Sequence, residues 1–412
     1  MRPSTPAPRV RTALLVLALV AGVLAALAPA PSGASPATAP AAPIAYVAPV
    51  AASAEPGRPY TPVTRVWFND PLGKERAKRR IFEHLIRSID ATPAGAVIRF
   101  AVLSFADRPM ADALLRADRR GVEVKLVFAG DEVYKPMTRL QRALGKNPRR
   151  DSFAVLCDSS CRGERGQMHA KFFSFSRVGE ARAVTMVGSN NITRHNSHDQ
   201  WSDLYVRVGD KRYYDTFGAW FAQAKRDRPL RDPYVNREIG SHRVMITPVD
   251  LARHRDPLDD ALDSVTCLTR AGAIDPDAPR PDTQVPTNLL LAQHAWNGAR
   301  GKRLARRVAQ MVRSGCTARV FYGQGVGPAV RRILTDGGAV LRPGTHRGVR
   351  THQKLLIAHG HVGRRPDTIR VWTGSQNWTT RAAKRDDLVV RIDDQEVGRQ
   401  YVRGFFRMWR RG

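Results

Sequence analysis

The segments QMHAKFFSFS (167–176) and RTHQKLLIAH (350–359) determine how the rest of this 412-residue chain is interpreted. Each segment places a histidine two positions before a lysine and then continues with mostly apolar residues. The two histidines, His169 and His352, are 183 positions apart. One His-x-Lys segment carries little information in a chain with 11 histidines, but two copies raise the question of an internal repeat.

The residues that follow the two histidines also match. Each His-x-Lys segment is followed by a strand-like run that ends in Gly-Ser-x-Asn, and then by a run that contains Asp-Leu. These runs are VTMVGSNNIT (184–193) and WSDLYVRV (201–208) in the first half, and IRVWTGSQNWT (369–379) and RDDLVVRI (385–392) in the second. The alignment pairs Ser189 with Ser375, Asn191 with Asn377, and Asp203 with Asp387. The shared order is strong evidence for a duplication.

The residues before the histidines repeat a strand–helix–strand pattern. The buried strands are AVIRFAVLSF (96–105) and TNLLLAQHAW (287–296), and the helices are MADALLRADRRG (110–121) and GKRLARRVAQMVRSG (301–315). Strands that alternate with helices favour an α/β fold with a parallel sheet. We therefore predict two repeats, at residues 61–235 and 236–412, each a mostly parallel sheet flanked by helices.

The chain is strongly basic, with 67 Lys and Arg against 37 Asp and Glu, a formal charge of +30. This charge favours phosphate-bearing partners such as nucleic acid, anionic lipid or a small anionic substrate. Compositional bias toward arginine is the alternative explanation, because the basic residues are spread along the chain. The runs KERAKRR (74–80) and RGKRLARR (300–307) are predicted helix faces, either simply solvated or in contact with phosphate.

The N-terminus has the pattern of an export signal. Three arginines precede the apolar run ALLVLALVAGVLAALA (13–28), and small residues follow it, which predicts a signal peptide at residues 1–34 and a secreted protein. An uncleaved membrane anchor is the alternative. Residues 35–60 are rich in Ala and Pro and are predicted to form a linker.

Export places the four cysteines in an oxidising compartment. Four cysteines allow three connectivities. The simplest pairs the neighbours Cys157 and Cys161, and then Cys267 with Cys316 inside the second repeat. A zinc site would need ligands from both halves and is the less favoured interpretation.

The duplicated residues suit the chemistry of a phosphodiester. Lys171 and Lys354 can neutralise the charge that develops on the phosphoryl oxygens, so the predicted site needs no metal or cofactor. The hydroxyl and amide groups of the two Gly-Ser-x-Asn segments can donate hydrogen bonds to the same oxygens. One imidazole can attack phosphorus while the other donates a proton to the leaving oxygen. Asp203 and Asp387 are each predicted to orient a histidine.

The paired His-x-Lys and Gly-Ser-x-Asn segments resemble the phospholipase D superfamily, and the similarity extends over residues 61–412. The resemblance implies a two-lobed α/β sandwich with pseudo-two-fold symmetry, one active site between the lobes, and no metal. It assigns His169 as the nucleophile and His352 as the general acid. The chain departs from the family pattern where an aspartate is expected five positions after each lysine, because Ser176 and His359 occupy these positions.

The favoured function is a secreted, monomeric phospholipase D-type phosphodiesterase that hydrolyses a phospholipid headgroup ester. Apolar residues beside the motifs are expected to line an acyl-facing mouth or, equally well, to pack in the core; these are Phe172, Phe173, Leu355, Leu356 and Trp378. A metal-independent extracellular nuclease is the first alternative, because the basic charge also suits nucleic acid. A degenerate phosphate-binding protein without turnover is the second.

Overall fold

A computed structural model describes residues 60–412 of the chain. The predicted signal peptide and, apart from Tyr60, the predicted linker lie outside the described residues. Both large sheets belong to one compact unit. Within residues 60–412, no helix combines the length and apolar character that crossing a bilayer requires.

Strands and helices alternate through the first half of the described chain. The strands are β1 (Arg65–Phe68), β2 (Val97–Val102), β3 (Glu123–Ala129), β4 (Phe153–Cys157), β5 (Lys171–Val178), β6 (Ala181–Gly188), β7 (Gln200–Trp201) and β8 (Asp203–Arg207). The helices are α1 (Glu75–Lys78), α2 (Arg80–Asp90), α3 (Arg108–Arg119), α4 (Lys135–Leu144), α5 (Arg194–His198) and α6 (Lys211–Ala224).

The second half repeats this order with several short additions. Its strands are β9 (Val235–Ile239), β10 (His242–Ile246), β11 (Val265–Thr266), β12 (Leu268–Arg270), β13 (Gln284–Pro286), β14 (Asn288–Asn297), β15 (Thr317–Val326), β16 (Val340–Pro343), β17 (Thr345–His346), β18 (Val349–Thr351), β19 (Lys354–Val362), β20 (Arg365–Gly374), β21 (Trp378–Thr379) and β22 (Leu388–Ile392). Its helices are α7 (Pro257–Asp263), α8 (Ala271–Ile274), α9 (Gly298–Arg313), α10 (Pro328–Asp336) and α11 (Gln395–Arg411), with a 3-10 turn at Arg381–Lys384.

The two large sheets have the same strand order. The first runs β1-β8-β6-β5-β2-β3-β4. The second runs β10-β22-β20-β19-β14-β15-β16, with β9 added at the β10 edge. Every strand of the first sheet thus has a counterpart in the second, at the position that the duplicated sequence predicts. The α/β class and the two-repeat architecture are confirmed.

The prediction of mostly parallel sheets is corrected by the strand directions. Along the main strand order of the two large sheets, β2–β3–β4 and β14–β15–β16 pair in parallel and the other neighbours are antiparallel. The short β21 also pairs with β14 in parallel, beside this main order. The parallel strands are those joined by helices, as the strand–helix pattern indicated. After each histidine segment, however, the chain reverses through a short turn, Gly179–Glu180 in the first repeat, and a short turn can join only antiparallel neighbours.

The inner faces of both sheets pack with α6 and α11 into one core. Phe172 of β5 stacks on Phe217 of α6 with ring centroids 5.2 Å apart, and Leu355 of β19 lies in the same core as Tyr401 of α11. Two outer cores cover the opposite faces, one with α2, α3 and α4 and the other with α9 and α10. This face-to-face packing brings the ends of β5 and β19 that carry the histidine segments together.

Both predicted disulfides are present. Cys157 bonds Cys161 with Cα atoms 5.2 Å apart, and Cys267 bonds Cys316 with Cα atoms 4.4 Å apart. Two disulfides indicate an oxidising compartment. The first closes a small loop after β4, and the second ties the residues before β12 to the start of β15.

Candidate active site

His169 lies immediately before β5 and is held by the opposite repeat. Its Nδ1–H donates to Asp387 Oδ1 at 2.7 Å, and its backbone N–H donates to the carbonyl of Asp386 at 3.0 Å. Asp387 precedes β22 of the second sheet. The His–Asp pair that the alignment predicted therefore forms across the repeats, not within one repeat.

His352 lies immediately before β19 and is also held by the opposite repeat, but by different groups. Its backbone N–H donates to the carbonyl of Trp201 at 2.9 Å. Its Nδ1–H donates to the carbonyl of Ser189 at 2.7 Å, and the amide of Asn196 lies 3.2 Å from the same nitrogen. A neutral carbonyl thus occupies the position that a carboxylate occupies beside His169.

Asp203 does not orient a histidine, which corrects the sequence prediction. Its Oδ1 accepts from Ser189 at 2.6 Å, and its Oδ2 accepts from Thr373 at 2.6 Å and Tyr401 at 3.1 Å. These three hydroxyls are the side-chain partners of the carboxylate, and no hydrogen bond joins it to a histidine within residues 60–412. Burial raises the pKa of Asp203, and the three hydroxyl hydrogen bonds oppose that rise.

The serines of the Gly-Ser-x-Asn segments donate hydrogen bonds to the aspartates. Ser189 donates to Asp203, and Ser375 donates to Asp387 Oδ1 at 2.5 Å. A hydroxyl has one proton to donate, so neither serine can bind phosphate oxygen as predicted without leaving its carboxylate. The Asp387 carboxylate therefore receives both Ser375 and His169.

Asn191 and Asn377 remain available for phosphate. Both side chains are buried, and the Oδ1 atom of each has no hydrogen-bond partner among the described residues. Their amide groups also form no hydrogen bond within residues 60–412, and a phosphodiester oxygen is an acceptor that an amide N–H can bind.

The two lysines occupy equivalent positions. The Nζ atom of each donates to the carbonyl of the histidine of its own segment at 2.5 Å. Burial lowers the pKa of Lys171 to about 7. Burial, followed by the charge of Lys171, lowers the pKa of Lys354 well below its usual range. The lysines thus lie close enough to repel each other, and an incoming anion would relieve that repulsion.

The histidines are neutral at physiological pH in the free site. Burial lowers the pKa of His169 to about 3 despite Asp387, and burial with the charge of Lys354 lowers the pKa of His352 well below its usual range. Burial alone would raise the pKa of Asp387, but His169 and Lys171 bring it to about 2. His169 is therefore an imidazole whose Nδ1–H faces a carboxylate, which leaves the Nε2 lone pair free to attack.

His294 is a third histidine of the site that the sequence analysis missed. Its ring centroid lies 4.6 Å from that of His352, and its Nδ1–H donates to the carbonyl of Thr351 at 3.2 Å. Burial and the charge of Lys354 lower its pKa to about 3. The signal was present as a polar Gln-His pair at the end of the apolar strand LLLAQHAW (289–296).

Asp386 is a second missed residue, and it ties the site to the first disulfide loop. Its Oδ2 accepts from Ser160 Oγ and from the N–H of Cys161, both at 2.6 Å. Its Oδ1 accepts from the buried Arg162 at 3.1 Å. Because its carbonyl also holds the N–H of His169, Asp386 fixes the loop and the histidine together. The Asp-Asp doublet in RDDLVVRI was the available signal.

Ser176 and His359, which stand where the family has an aspartate, lie far along their strands from the histidines and lysines of the candidate site. Ser176 is five residues along β5 from Lys171, a distance of ~17 Å at the usual rise of a strand. Its Oγ accepts from the N–H of Val97 at 2.8 Å. His359 pairs with Asn288 in the equivalent part of the second sheet. Both residues belong to the strand scaffold.

The apolar residues beside the motifs lie in the cores and line no mouth of the site. Phe172 and Leu355 belong to the central core, Phe173 to the first outer core, and Leu356 and Trp378 to the second. Each is at most 2% exposed, so none is available to contact an acyl chain.

Comparison with known proteins agrees with this geometry. Residues 85–225 match a family model described as cardiolipin synthase, PLD-like domain. Among solved structures, the polyphosphate kinase of Porphyromonas gingivalis is 10% identical with a TM-score of 0.54, over 84% of this chain and 50% of that chain. The phosphatidylserine synthase of Haemophilus influenzae is 12% identical with a TM-score of 0.53, over 84% of this chain and 86% of that chain.

The alignment thus spans half of the polyphosphate kinase and most of the synthase, and at these identities the likeness concerns the fold alone. Comparison with curated protein sequences finds no match. The family model covers the first histidine segment, and the second repeat has the same strand order and the same His-x-Lys and Gly-Ser-x-Asn segments. Residues 85–225 of the chain therefore form a PLD-like domain, as the family model shows.

Proposed function

We propose that the protein is a secreted, metal-independent phosphodiesterase that works through a phosphohistidine on His169. The observation that carries this proposal is the buried pair of His169 and Asp387, formed across the repeats beside two lysines and a second histidine. This arrangement holds a neutral imidazole in a fixed tautomer beside the positive charge that a phosphodiester requires.

In the first step, Nε2 of His169 attacks phosphorus. A P–N bond forms, the P–O bond to the leaving group breaks, and the leaving oxygen takes a proton from His352. Lys171, Lys354 and the amides of Asn191 and Asn377 neutralise and bind the phosphoryl oxygens. The imidazolium that forms on His169 is stabilised by the Asp387 carboxylate.

In the second step, His352 acts as the general base. It removes a proton from water, the water oxygen attacks phosphorus, and the P–N bond breaks to release the phosphate monoester and neutral His169. His352 must be protonated in the first step, although its pKa is low in the free site. The bound phosphodiester supplies a negative charge beside the ring, which raises that pKa toward its usual range.

Nucleic acid is the substrate class that we propose. The sequence favoured a phospholipid, partly because the apolar residues beside the motifs could line an acyl-facing mouth as well as pack in the core; in the structure these residues pack in the cores. The half-buried Arg385 precedes Asp386, and its positive charge lowers the pKa of His169 and Lys171. Its Nε is buried without a partner in the described chain, so it can bind a further phosphate beside the scissile one.

Phospholipid headgroup hydrolysis is the second candidate. It is favoured by the family model that matches the first repeat, whose description names a cardiolipin synthase domain. An exported protein with a net charge of +30 would also be attracted to an anionic membrane surface.

Purified mature protein should be assayed side by side on single-stranded DNA, RNA and phosphatidylcholine–phosphatidylglycerol vesicles, with and without EDTA. We expect strand cleavage that EDTA leaves unchanged, and no release of choline. Choline release without strand cleavage would establish the second candidate. Activity abolished by EDTA and restored by a divalent ion would refute the mechanism, and binding without any turnover would support the degenerate alternative.

A further inference from the structure

The last helix of the described chain, α11, packs against β1 and the loop that leads into α1. Arg411, at the end of α11, forms an ion pair with Asp70 and donates to the carbonyl of Leu72 at 3.3 Å, in the loop before α1. Gly404 of α11 faces Phe68 of β1, and a Cβ atom at Gly404 would lie 2.5 Å from that ring. The absence of a side chain therefore allows α11 to pack closely on the edge of the first sheet.

This packing gathers positive charge that acidic groups do not neutralise. We define the basic surface as Lys74, Arg76, Lys78 and Arg80 from the α1–α2 segment with Arg407 and Arg410 from α11. None of these six side chains forms an ion pair within residues 60–412. Burial and the charge of Arg407, opposed by Asp70, lower the pKa of Arg80, so the guanidinium groups of Arg80 on α2 and Arg407 on α11 are near enough to affect each other.

The nearby acidic groups are engaged elsewhere or lie at the margin. Asp70 pairs with Arg411, and Glu75 pairs with His198. Glu396, in the first turn of α11, pairs with Arg399 and Arg403. Glu83 lies one turn beyond Arg80 on α2 and forms no ion pair in the described chain. Positive charge therefore dominates the exposed surface between the two helices.

The second basic run, residues 300–307, has a different environment. Arg300 and Arg303 form ion pairs with Asp256, and Arg307 pairs with Asp263 at 2.9 Å. Asp256, the N-cap residue of α7, and Asp263 at the end of α7 thus pair with three arginines of this run and connect α7 to α9. The two runs look alike in sequence, and only their surroundings distinguish them.

The basic surface begins next to the second half of the active site. Glu75 of α1 accepts from His198 of α5 at 3.0 Å, and Asn196 of the same short helix lies 3.2 Å from Nδ1 of His352. A chain of phosphates that enters the site beside His352 can therefore continue across α5 onto α1.

We propose that the basic surface binds the phosphate backbone of a nucleic acid strand whose scissile phosphate lies in the active site. The proposal rests on the proposed function and extends it to a second contact region outside the catalytic residues. A membrane is the less suitable partner, because surfaces that dock on lipid combine basic with apolar side chains. The large apolar side chains that the described chain exposes are Val63, Val133, Leu251, Leu268 and Val340, and none lies on α1, α2 or α11.

Two triple variants with equal charge change test this proposal. The surface variant carries Arg76→Gln, Lys78→Gln and Arg407→Gln. The control variant carries Lys302→Gln, Arg306→Gln and Arg313→Gln, three exposed side chains of α9 that form no ion pair in the described residues. Binding of a fluorescent 20-nucleotide oligothymidylate would be measured by anisotropy against salt concentration, with His169→Ala in every protein to keep the strand intact.

The surface variant should bind about 100-fold more weakly at ~0.1 M salt, and the slope of log K against log salt should fall by about 2, because three phosphate contacts are lost. The control variant should behave as the parent. Equal losses in both variants, or none in the surface variant, would overturn the proposal. A surface variant that loses binding to phosphatidylglycerol vesicles but still binds the oligothymidylate as the parent does would also overturn the proposal.

Hydrolysis of bis(p-nitrophenyl) phosphate separates this proposal from the proposed function. This substrate is too small to reach the basic surface, so the surface variant with His169 intact should hydrolyse it as the parent does. If the parent hydrolyses no diester but the binding difference remains, the proposed function fails and the basic surface stands. If the parent hydrolyses DNA and the binding difference is absent, the basic surface fails alone.

Discussion

The two halves of the candidate active site have the same backbone arrangement, but their histidines have different hydrogen-bond partners. In both halves a lysine donates to the carbonyl of its own histidine, and the opposite repeat holds the histidine N–H. His169, however, faces the carboxylate of Asp387, whereas His352 faces a neutral carbonyl. The duplication thus preserved the scaffold, while the hydrogen-bond partners of the histidines diverged.

The strand registers show where this divergence lies. Val102 pairs with Lys171 in the first sheet, and Gln293 pairs with Lys354 in the second, so the next residues, Leu103 and His294, are equivalent. An apolar residue beside one histidine corresponds to a titratable residue beside the other. A carboxylate partner makes an imidazole a better nucleophile, and a low pKa makes it a better acid once it is protonated. The difference therefore supports a division of labour.

Replacing His169 or His352 by alanine should produce the largest loss of activity, and the two variants should differ on a substrate with an activated leaving group. On a dialkyl phosphodiester both variants should lose at least about 10⁴-fold in rate, since each loses a catalytic group. On bis(p-nitrophenyl) phosphate, whose leaving group departs without a proton, His352→Ala should still form the intermediate but fail to hydrolyse it. A stoichiometric burst of nitrophenolate and a matching mass increase on His169 would be measured.

His169→Ala serves as the matched control for this burst and should show none. A burst from His169→Ala, with none from His352→Ala, would reverse the assigned roles.

Replacing Asp387 and Asp203 by asparagine should produce the next largest effect on kcat and should affect the two halves of the site unequally. Asp387→Asn should lower kcat by about 10²–10⁴-fold, because the neutral amide neither fixes the His169 tautomer nor stabilises the imidazolium. Asp203→Asn should lower kcat less than about tenfold, since Asp203 contacts hydroxyls only. Steady-state kinetics with thermal unfolding as the stability control would test this, and equal losses in kcat would contradict it.

Restoring the family aspartates should have the smallest effect. Ser176→Asp and His359→Asp, singly and together, should change kcat by less than about threefold, since position 176 is ~17 Å along the strand from Lys171. Ser176→Ala is the control, which removes the acceptor for the Val97 N–H without adding charge. A gain in kcat of tenfold or more in the double aspartate variant would show that the natural site is impaired.

Much of the fold was predictable because the duplication is visible in the sequence. The alternation of strands and helices predicted the α/β class, and the simplest cysteine pairing was correct. Strand direction was missed because the short turns after each histidine segment reverse the chain, which a strand–helix pattern does not reveal. The alignment identified Asp387, but not that it contacts the histidine of the other repeat.

The remaining site residues depend on three-dimensional packing. Asp203 and Asp387 align with each other, but the hydroxyls of Thr373 and Tyr401, far apart in sequence, isolate one of them from a histidine. Asn196 and His294 belong to segments with no motif and reach His352 only in the folded chain. Local sequence therefore predicted which residues are catalytic candidates, whereas their partners follow from the contact between repeats.

The pairing of each histidine segment with the opposite repeat also bears on how the protein evolved. β18 pairs with β7, and Met168 forms a bridge with Asp386, so each repeat contributes backbone to the other's half of the candidate active site. An ancestor with one copy would have needed two molecules to assemble a working centre, and its activity would have fallen on dilution. Two copies in one chain remove that concentration dependence, because the covalent link keeps the effective concentration of each repeat permanently high for the other.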